Sequence, residues 1–245
     1  MMKKVILTFA ALLCTLAGWS QSRVTQEHID RAAEIVGQMT LEEKVAYVGG
    51  YEDWYIRAVE RLGLPAIRMA DGPQGVRNNT KSTLYPSGIA AAATWDRDLI
   101  NKMGVALGQD SRARGVHILL GPGVNIYRSP LCGRNFEYFS EDPYVAGMFG
   151  KAFIEGVQAG HVGTSLKHYC CNNREYSRYW LSSQVDERTL REIYLKPFEI
   201  ALKAKPWTVM TSYNLVNGVR MSANKKLNDI LRNELGFEGV IVSDW

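Results

Sequence analysis

Short apolar runs alternate along the chain with longer segments in which apolar positions recur at helical spacing. Two helical stretches open the chain after residue 21, and the later ones are residues 96–114, 142–159, 186–204 and 224–235. The runs that predict strands are residues 66–70, 88–94, 116–120, 162–166, 207–212 and 239–243, of which 88–94 has the weakest pattern. Strands that alternate with helices favour a parallel α/β fold. About six strands could complete a doubly wound sheet, whereas an eight-stranded barrel would be two strands short.

Several residues predict where the helices begin and end. Thr40 and Glu43 have the spacing of a capping box in front of an apolar helical face. Asp186 is placed to cap the helix of residues 186–204, which Pro197 would kink. Gly236 is expected to stop the helix of residues 224–235.

The first 20 residues have the layout of a secretory signal peptide. Lys3 and Lys4 precede the apolar stretch VILTFAALLCTLAG, and GWS supplies a small-x-small cleavage site. Cleavage near Ser20 would leave residues 21–245 as the mature domain, exported to the periplasm or the extracellular space. An uncleaved membrane anchor is the alternative, but the apolar stretch is shorter than the ~20 residues of a membrane span, and no other stretch approaches that length.

Charge and cysteine content exclude several functional classes. The formal charge of +4 falls to +2 when Lys3 and Lys4 leave with the signal peptide, and no basic run is present, so nucleic acid is not an expected partner. Three cysteines remain, two of them adjacent, which does not make a disulfide framework. Zinc-type spacings are absent, so we expect small buried cysteines, no metal site and no cofactor.

Polar residues follow four of the predicted strands, just past the end of each. In a β/α barrel those ends share the face that holds the active site. Carboxylates, Lys and His bind sugar hydroxyls, and aromatic faces cover the apolar side of a sugar ring. The pattern alone also allows other barrel enzymes, such as a Schiff-base aldolase that uses Lys167. The residues at strand ends are Asp71, Lys167 with His168, Ser212 with Tyr213, and Asp244 with Trp245.

Seven longer motifs carry a family resemblance. They are LGLPAIRMADGPQGVR (62–77), YPSGIAAAATWD (85–96), LLGPGVNIYRSPLCGRNFEYFSEDP (119–143), SLKHYCCNNRE (165–175), ERTLREIYLKPFEIALK (187–203), VMTSYNLVNG (209–218) and GFEGVIVSDW (236–245). Together they resemble the N-terminal domain of glycoside hydrolase family 3, in its β-glucosidase-like branch.

The resemblance implies a (β/α)8 TIM-type barrel, incomplete at its C-terminus with about six strands, and a retaining hydrolase. Asp244 matches the nucleophile that forms a covalent glycosyl-enzyme intermediate. Tyr213 matches a tyrosine beside it, and Trp245 an aromatic on the leaving-group side. Glu137 is expected to pair with basic groups rather than to act as an acid. The positions that match hydroxyl-binding residues are Asp71, Arg134, Lys167 and His168.

The resemblance also indicates where the general acid comes from. In the N-acetylglucosaminidase branch a second His in the loop after the Lys-His pair belongs to the acid/base, and KHYCCNNRE lacks it. The β-glucosidase-like branch takes its acid from a following α/β sandwich domain. Because retaining hydrolysis needs two carboxyl groups, we expect this sequence to be a fragment, poorly active or inactive alone.

The expected function is hydrolysis of terminal, non-reducing β-D-glucosyl residues from β-linked glucosides or oligosaccharides. Two alternatives stay open. One is a catalytically inactive sugar-binding fragment, and the other is a β-xylosidase of the same family.

Overall fold

The computed structural model describes residues 24–77 and 81–245. The predicted signal peptide, residues 1–20, lies outside the described residues. The described residues divide into two compact units, one that ends at residue 44 and one that covers the described residues from 45 to 245. No helix in the described part is both long and apolar enough to cross a membrane.

The described part of the first unit is helical. Helix α1 (Gln26–Gln38) begins after Thr25, whose side chain accepts a hydrogen bond from the His28 N–H. Helix α2 (Leu41–Val48) begins in this unit as well. Thr40 Oγ1 accepts from the Glu43 N–H at 3.2 Å, and Glu43 Oε2 accepts from the Thr40 N–H at 2.9 Å, which confirms the predicted capping box.

The second unit is built on a curled, seven-stranded, half-barrel sheet. The strands of this unit are β1 (Gly50–Tyr51), β2 (Tyr55–Ile56), β3 (Ile67–Asp71), β4 (Ile118–Leu120), β5 (Gly163–Tyr169), β6 (Ser182–Ser183), β7 (Thr208–Thr211), β8 (Leu215–Val216), β9 (Val219–Arg220) and β10 (Val240–Val242). The strand order in the large sheet is β1-β2-β3-β4-β5-β7-β10; the strands are parallel from β3 onward, while β1, β2 and β3 pair antiparallel. Strands β6, β8 and β9 form a separate small sheet.

The α/β class and the incomplete barrel are confirmed, and five of the predicted strands lie where the apolar runs placed them. The sixth prediction was wrong, because residues 88–94 contain helix α3 (Gly88–Ala92) instead of a strand. Alanine has the highest helix propensity, and Ser87 caps the helix by accepting from the Ala90 N–H. The hairpin β1–β2 was not predicted.

The helical segments after α3 correspond to the predicted helices. They are α4 (Arg97–Ala113) and α5 (Pro143–Ala159), then α6 (Glu187–Thr189), a π-helical turn (Leu190–Tyr194), α7 (Lys196–Ala201) and a 3₁₀ turn (Leu202–Ala204), and last α8 (Lys225–Asp229) with a second π-helical turn (Ile230–Glu234). Pro197 has no N–H to continue the ladder, so the predicted 186–204 helix is interrupted just before it. Shorter 3₁₀ turns lie at Glu60–Leu62, Asn135–Glu137 and Met221–Ala223.

Helices α4 and α5 pack backbone to backbone through glycines. A Cβ atom on Gly156 would lie 2.2 Å from the Asn101 carbonyl oxygen, and one on Gly104 would lie 2.7 Å from the Phe153 carbonyl oxygen. Both separations are too short for any side chain, so this close approach requires glycine at both positions.

Side chains alternate between the two faces of the sheet. Leu119 of β4 belongs to the large core beneath the helices, while Ile118 and Leu120 join a smaller apolar cluster with Met69 and Met210. Trp54, between β1 and β2, packs against this smaller cluster. The cluster forms an apolar floor at the carboxyl ends of the parallel strands.

Candidate active site

A cavity of about 490 Å³ opens at the carboxyl ends of the parallel strands. Leu120 and Met210 of the apolar floor line it, so the cavity continues directly from the smaller core. All seven residues that the family resemblance assigned to a site contribute to its wall, which shows that the fold brings them together. These residues are Asp71, Arg134, Lys167, His168, Tyr213, Asp244 and Trp245.

Asp71 ends strand β3 and is held between two cations. Its Oδ1 lies 2.7 Å from Lys167 Nζ and its Oδ2 lies 3.1 Å from Arg77 Nη1. Burial raises the pKa of Asp71, but the charges of Lys167, Arg77 and Arg134 outweigh it and hold that pKa below its usual value. Asp71 is therefore a carboxylate at neutral pH, with lone pairs left to accept from a ligand.

His168 lies next to Lys167 on strand β5 and is almost completely buried. Its Nδ1 lies 3.1 Å from Asn125 Oδ1 and 3.4 Å from the Tyr138 hydroxyl, and its Nε2 lies 4.0 Å from Asp244 Oδ2. Burial and the nearby cations, first Arg134 and then Lys167, place the pKa of His168 well below its usual value. The imidazole is neutral, so its approach to Asp244 is not an ion pair.

Asp244 follows strand β10, and its two carboxylate oxygens differ in environment. Oδ1 accepts a hydrogen bond from the Trp245 N–H at 3.0 Å, whereas Oδ2 is buried and has no hydrogen-bond partner among residues 24–77 and 81–245. Burial raises the pKa of Asp244 above its usual value, and the Trp245 N–H, Lys167, Arg134 and Tyr213 each offset part of that rise. Among the described residues Oδ2 lacks a partner at hydrogen-bond distance, and the hydroxyl of Tyr213 is the nearby side-chain donor that favours the charged carboxylate.

Tyr213 stands beside Asp244 within an aromatic and cationic stack. Its ring centroid lies 4.6 Å from that of Tyr179, and the Arg178 guanidinium lies 4.5 Å from the Tyr213 ring centroid. Glu175 Oε2 holds Arg178 at 2.6 Å. Burial and the Asp244 carboxylate raise the pKa of Tyr213, so the phenol stays protonated and is available as a donor.

Arg134 and Glu137 form a buried ion pair on the 3₁₀ turn Asn135–Glu137 and the residue before it. The Glu137 side chain is 6% exposed. Arg134 Nε donates to Glu137 Oε1. Glu137 thus positions Arg134 at the cavity wall, in the pairing expected from the sequence.

Two tryptophans form an aromatic pair at the cavity. The Trp54 and Trp245 ring centroids lie 5.4 Å apart at an interplanar angle of 34°. Trp245 Nε1 donates to the Asp53 carbonyl oxygen, which fixes the indole edge. The pair presents apolar ring surface beside polar groups, which is the combination that a sugar ring needs.

Trp54, Arg77 and Arg178 are among the residues of the cavity wall that the sequence analysis did not single out. Arg77 ends a motif that was recognised, six residues after Asp71, so it could have been proposed as a partner of that carboxylate. Arg178 lies in a loop without periodicity, and Trp54 lies in a hairpin of two-residue strands. Neither carries a local signal.

The polar side chains of the cavity wall are carboxylates, cations, an imidazole and a phenol. No group of three or more His, Cys, Asp or Glu side chains in the described part is arranged to hold a metal ion. Cys132, Cys170 and Cys171 are free and buried, as expected from the sequence. The cavity combines a paired carboxylate, fixed cations, a neutral imidazole and one carboxylate oxygen that has no partner within the described part of the chain.

Known proteins are similar to this chain, in sequence and in structure, over most of its length. Thermostable beta-glucosidase B of Acetivibrio thermocellus is 49% identical over 226 residues, which cover 86% of this chain and 30% of that protein. An exo-alpha-(1->6)-L-arabinopyranosidase of Bifidobacterium breve is 44% identical over 225 residues, again 86% of this chain and 30% of that protein. Beta-glucosidase 3B of Thermotoga neapolitana, solved in complex with glucose, superposes with a TM-score of 0.85 at 44% identity, over 88% of this chain and 34% of that one.

The chain therefore spans about a third of the length of the curated relatives that it matches. Residues 18–245 match the glycosyl hydrolase family 3 N terminal domain. This match confirms the resemblance seen in the sequence motifs: the chain belongs to glycosyl hydrolase family 3.

Proposed function

We propose that this chain supplies the nucleophile and the sugar-binding pocket of a retaining β-glucosidase. The observation that carries the proposal is Asp244 at the cavity wall, whose buried Oδ2 has no hydrogen-bond partner in the described part of the chain. A nucleophile needs a lone pair that no other donor occupies, and it needs to be ionised. Burial raises the pKa of Asp244, and the Trp245 N–H, Lys167, Arg134 and Tyr213 each favour the ionised form and offset part of that rise.

In this mechanism Asp244 attacks the anomeric carbon of a bound glucoside. A bond forms between a carboxylate oxygen and that carbon as the bond to the leaving oxygen breaks, and the leaving oxygen takes a proton from a general acid. Water then attacks the same carbon, its proton passes to the conjugate base of that acid, and the Asp244 carboxylate is released. Two inversions at one carbon give net retention.

The remaining groups bind and orient the sugar. Asp71 accepts hydrogen bonds from sugar hydroxyls, and Lys167 and Arg134 donate to hydroxyl oxygens. The paired tryptophans cover the apolar face of the sugar on the leaving-group side of the cavity. The second carboxyl group is not supplied by Asp71 or Glu137, because both are committed to ion pairs. We therefore place the general acid outside the described residues that line the cavity.

The test is covalent trapping with an aryl 2-fluoro glucoside that carries a dinitrophenyl leaving group. Such a leaving group departs without acid assistance, and the fluorine slows hydrolysis of the intermediate, so the glycosyl group should accumulate on the peptide that contains Asp244. Intact mass and peptide mapping read the result. Asp244→Asn should not be labelled, while the matched control Asp229→Asn, at an exposed carboxylate, should be labelled like the parent.

The same experiment separates catalysis from binding alone. Saturable binding of glucose without labelling of Asp244 would favour the catalytically inactive sugar-binding domain. A label on another residue would show that the nucleophile has been wrongly assigned.

A pentoside is the second candidate substrate, because the Bifidobacterium breve relative is named an arabinopyranosidase. A β-xyloside belongs to the same class. Matched aryl glycosides of glucose, xylose and arabinopyranose, compared by kcat/KM, would rank the three sugars. We expect the glucoside to be preferred.

A further inference from the structure

Asn125 makes two hydrogen bonds to the backbone of His168 that fix the orientation of its amide group. The His168 N–H donates to Asn125 Oδ1 at 2.9 Å, and Asn125 Nδ2 donates to the His168 carbonyl oxygen at 2.9 Å. A backbone N–H can only donate and a backbone carbonyl can only accept. Oxygen and nitrogen of this amide are therefore assigned by the contacts themselves.

The fixed amide determines which ring nitrogen of His168 carries the hydrogen. Asn125 Oδ1 also lies 3.1 Å from His168 Nδ1, and because a carbonyl oxygen offers only lone pairs, Nδ1 must be the donor. The Tyr138 hydroxyl, 3.4 Å from the same nitrogen, is a longer and weaker contact. A neutral ring with its hydrogen on Nδ1 has a bare lone pair on Nε2.

The bare nitrogen faces the carboxylate. His168 Nε2 and Asp244 Oδ2 are 4.0 Å apart, and none of the described residues hydrogen-bonds to Oδ2. Two acceptors cannot bond to each other. With the hydrogen on Nε2 instead, His168 could donate to Asp244 and occupy the lone pair that a nucleophile needs.

We propose that Asn125 is a positioning residue, which holds His168 in the Nδ1–H tautomer so that Nε2 leaves Asp244 Oδ2 unbonded and accepts a hydrogen from a substrate hydroxyl. The inference rests on the proposed function, in which Asp244 is the nucleophile. Asn125 is 3% exposed and reaches the reaction only through His168.

The direct test reads the tautomer in the full chain as its host makes it, labelled with ¹⁵N-histidine. Long-range proton–nitrogen correlation distinguishes a protonated ring nitrogen from a bare one, and His168→Gln assigns the signal. We expect a protonated Nδ1 and a bare Nε2 in the parent. Asn125→Ala should lose this preference, whereas Asn125→Asp, which keeps an oxygen acceptor, should retain a protonated Nδ1.

The kinetic test measures glycosylation of Asp244 by the aryl 2-fluoro glucoside across pH. The titratable and charged groups around Asp244 are His168, Lys167, Arg134 and Tyr213, and those around His168 add Arg178 and Tyr138. In Asn125→Ala a new N–H donor from His168 would stabilise the carboxylate, so the acid limb should move to lower pH and the rate should fall at least about tenfold. Asn101→Ala, which removes a side-chain bond to the Ala152 carbonyl between α4 and α5, is the matched control and should change neither readout.

The two readouts fail independently. A parent with the hydrogen on Nε2, or an Asn125→Ala variant with an unchanged tautomer and acid limb, would overturn the role of Asn125 even when Asp244 is labelled. A parent with an Asn125-dependent Nδ1–H tautomer but no label on Asp244 would overturn the proposed function instead.

Discussion

Lys167 Nζ lies 2.7 Å from Asp71 Oδ1, and this ion pair joins the ends of two strands that are not neighbours. Asp71 ends β3, Lys167 belongs to β5, and β4 lies between them in the sheet. The Lys167 side chain is 3% exposed and the Asp71 side chain is 25% exposed. The ion pair therefore links the parts of the cavity wall that β3 and β5 supply, across the apolar floor. The Lys167 ammonium has little access to water.

Asp71→Asn should destabilise the protein, because it leaves the buried Lys167 ammonium without its carboxylate. Removing one partner of a buried pair costs about 3–5 kcal/mol, and the partial exposure of Asp71 lowers our expectation to about 2–3 kcal/mol. Urea unfolding at neutral pH measures the difference. Asp229→Asn breaks an exposed pair with Lys225 and should cost under about 1 kcal/mol, so equal losses in both variants would contradict the buried-pair account.

The same carboxylate should make stability depend on pH. The pKa of Asp71 is lower in the folded chain than in the unfolded chain, so below neutral pH the unfolded state binds more protons. Its contribution is fully present above the unfolded pKa of about 4 and is lost as pH falls through the folded pKa. Urea unfolding across this acidic range should give a shallower pH slope for Asp71→Asn than for the parent. Parallel slopes would show that Asp71 is not the group responsible.

Asp244→Asn should have the opposite effect on stability while abolishing covalent labelling. Burial raises the pKa of Asp244, so the folded state holds its proton more tightly, and ionisation costs stability as pH rises past the unfolded pKa. A neutral amide removes that cost and adds a donor on the side that faces His168 Nε2. At neutral pH we expect a gain on the order of 1 kcal/mol, the stability–activity trade-off of a strained active site. A loss of stability in urea unfolding would mean that the carboxylate is better solvated than its burial indicates.

Much of the fold could be predicted from the sequence because buried parallel strands consist of short runs of apolar residues. It also placed Asp71, Lys167 and Asp244 in one site, since the carboxyl ends of such strands share an edge. It failed at Gly88–Ala92, where a short apolar run predicted a strand although alanine favours a helix and Ser87 caps one. Asn125 lies in a Gly/Pro loop, where nothing local shows that its amide will meet the backbone of a residue 43 positions later.

Trp54 belongs to the part of the site that the sequence did not indicate. Substitution of Trp54 tests the role of its aromatic pair with Trp245. Its ring packs between the apolar floor and Trp245, at a centroid distance of 5.4 Å. An aromatic pair contributes about 0.5–1.5 kcal/mol beyond area burial, so Trp54→Ala should raise KM for an aryl glucoside by up to about tenfold. Trp54→Phe keeps a ring at this position and should stay close to the parent. The test measures KM and kcat for the aryl glucoside in both variants of the full chain as its host makes it. If Trp54→Ala lowers kcat with KM unchanged, Trp54 does not shape the leaving-group side through Trp245 but supports the strand ends from which Asp244 acts.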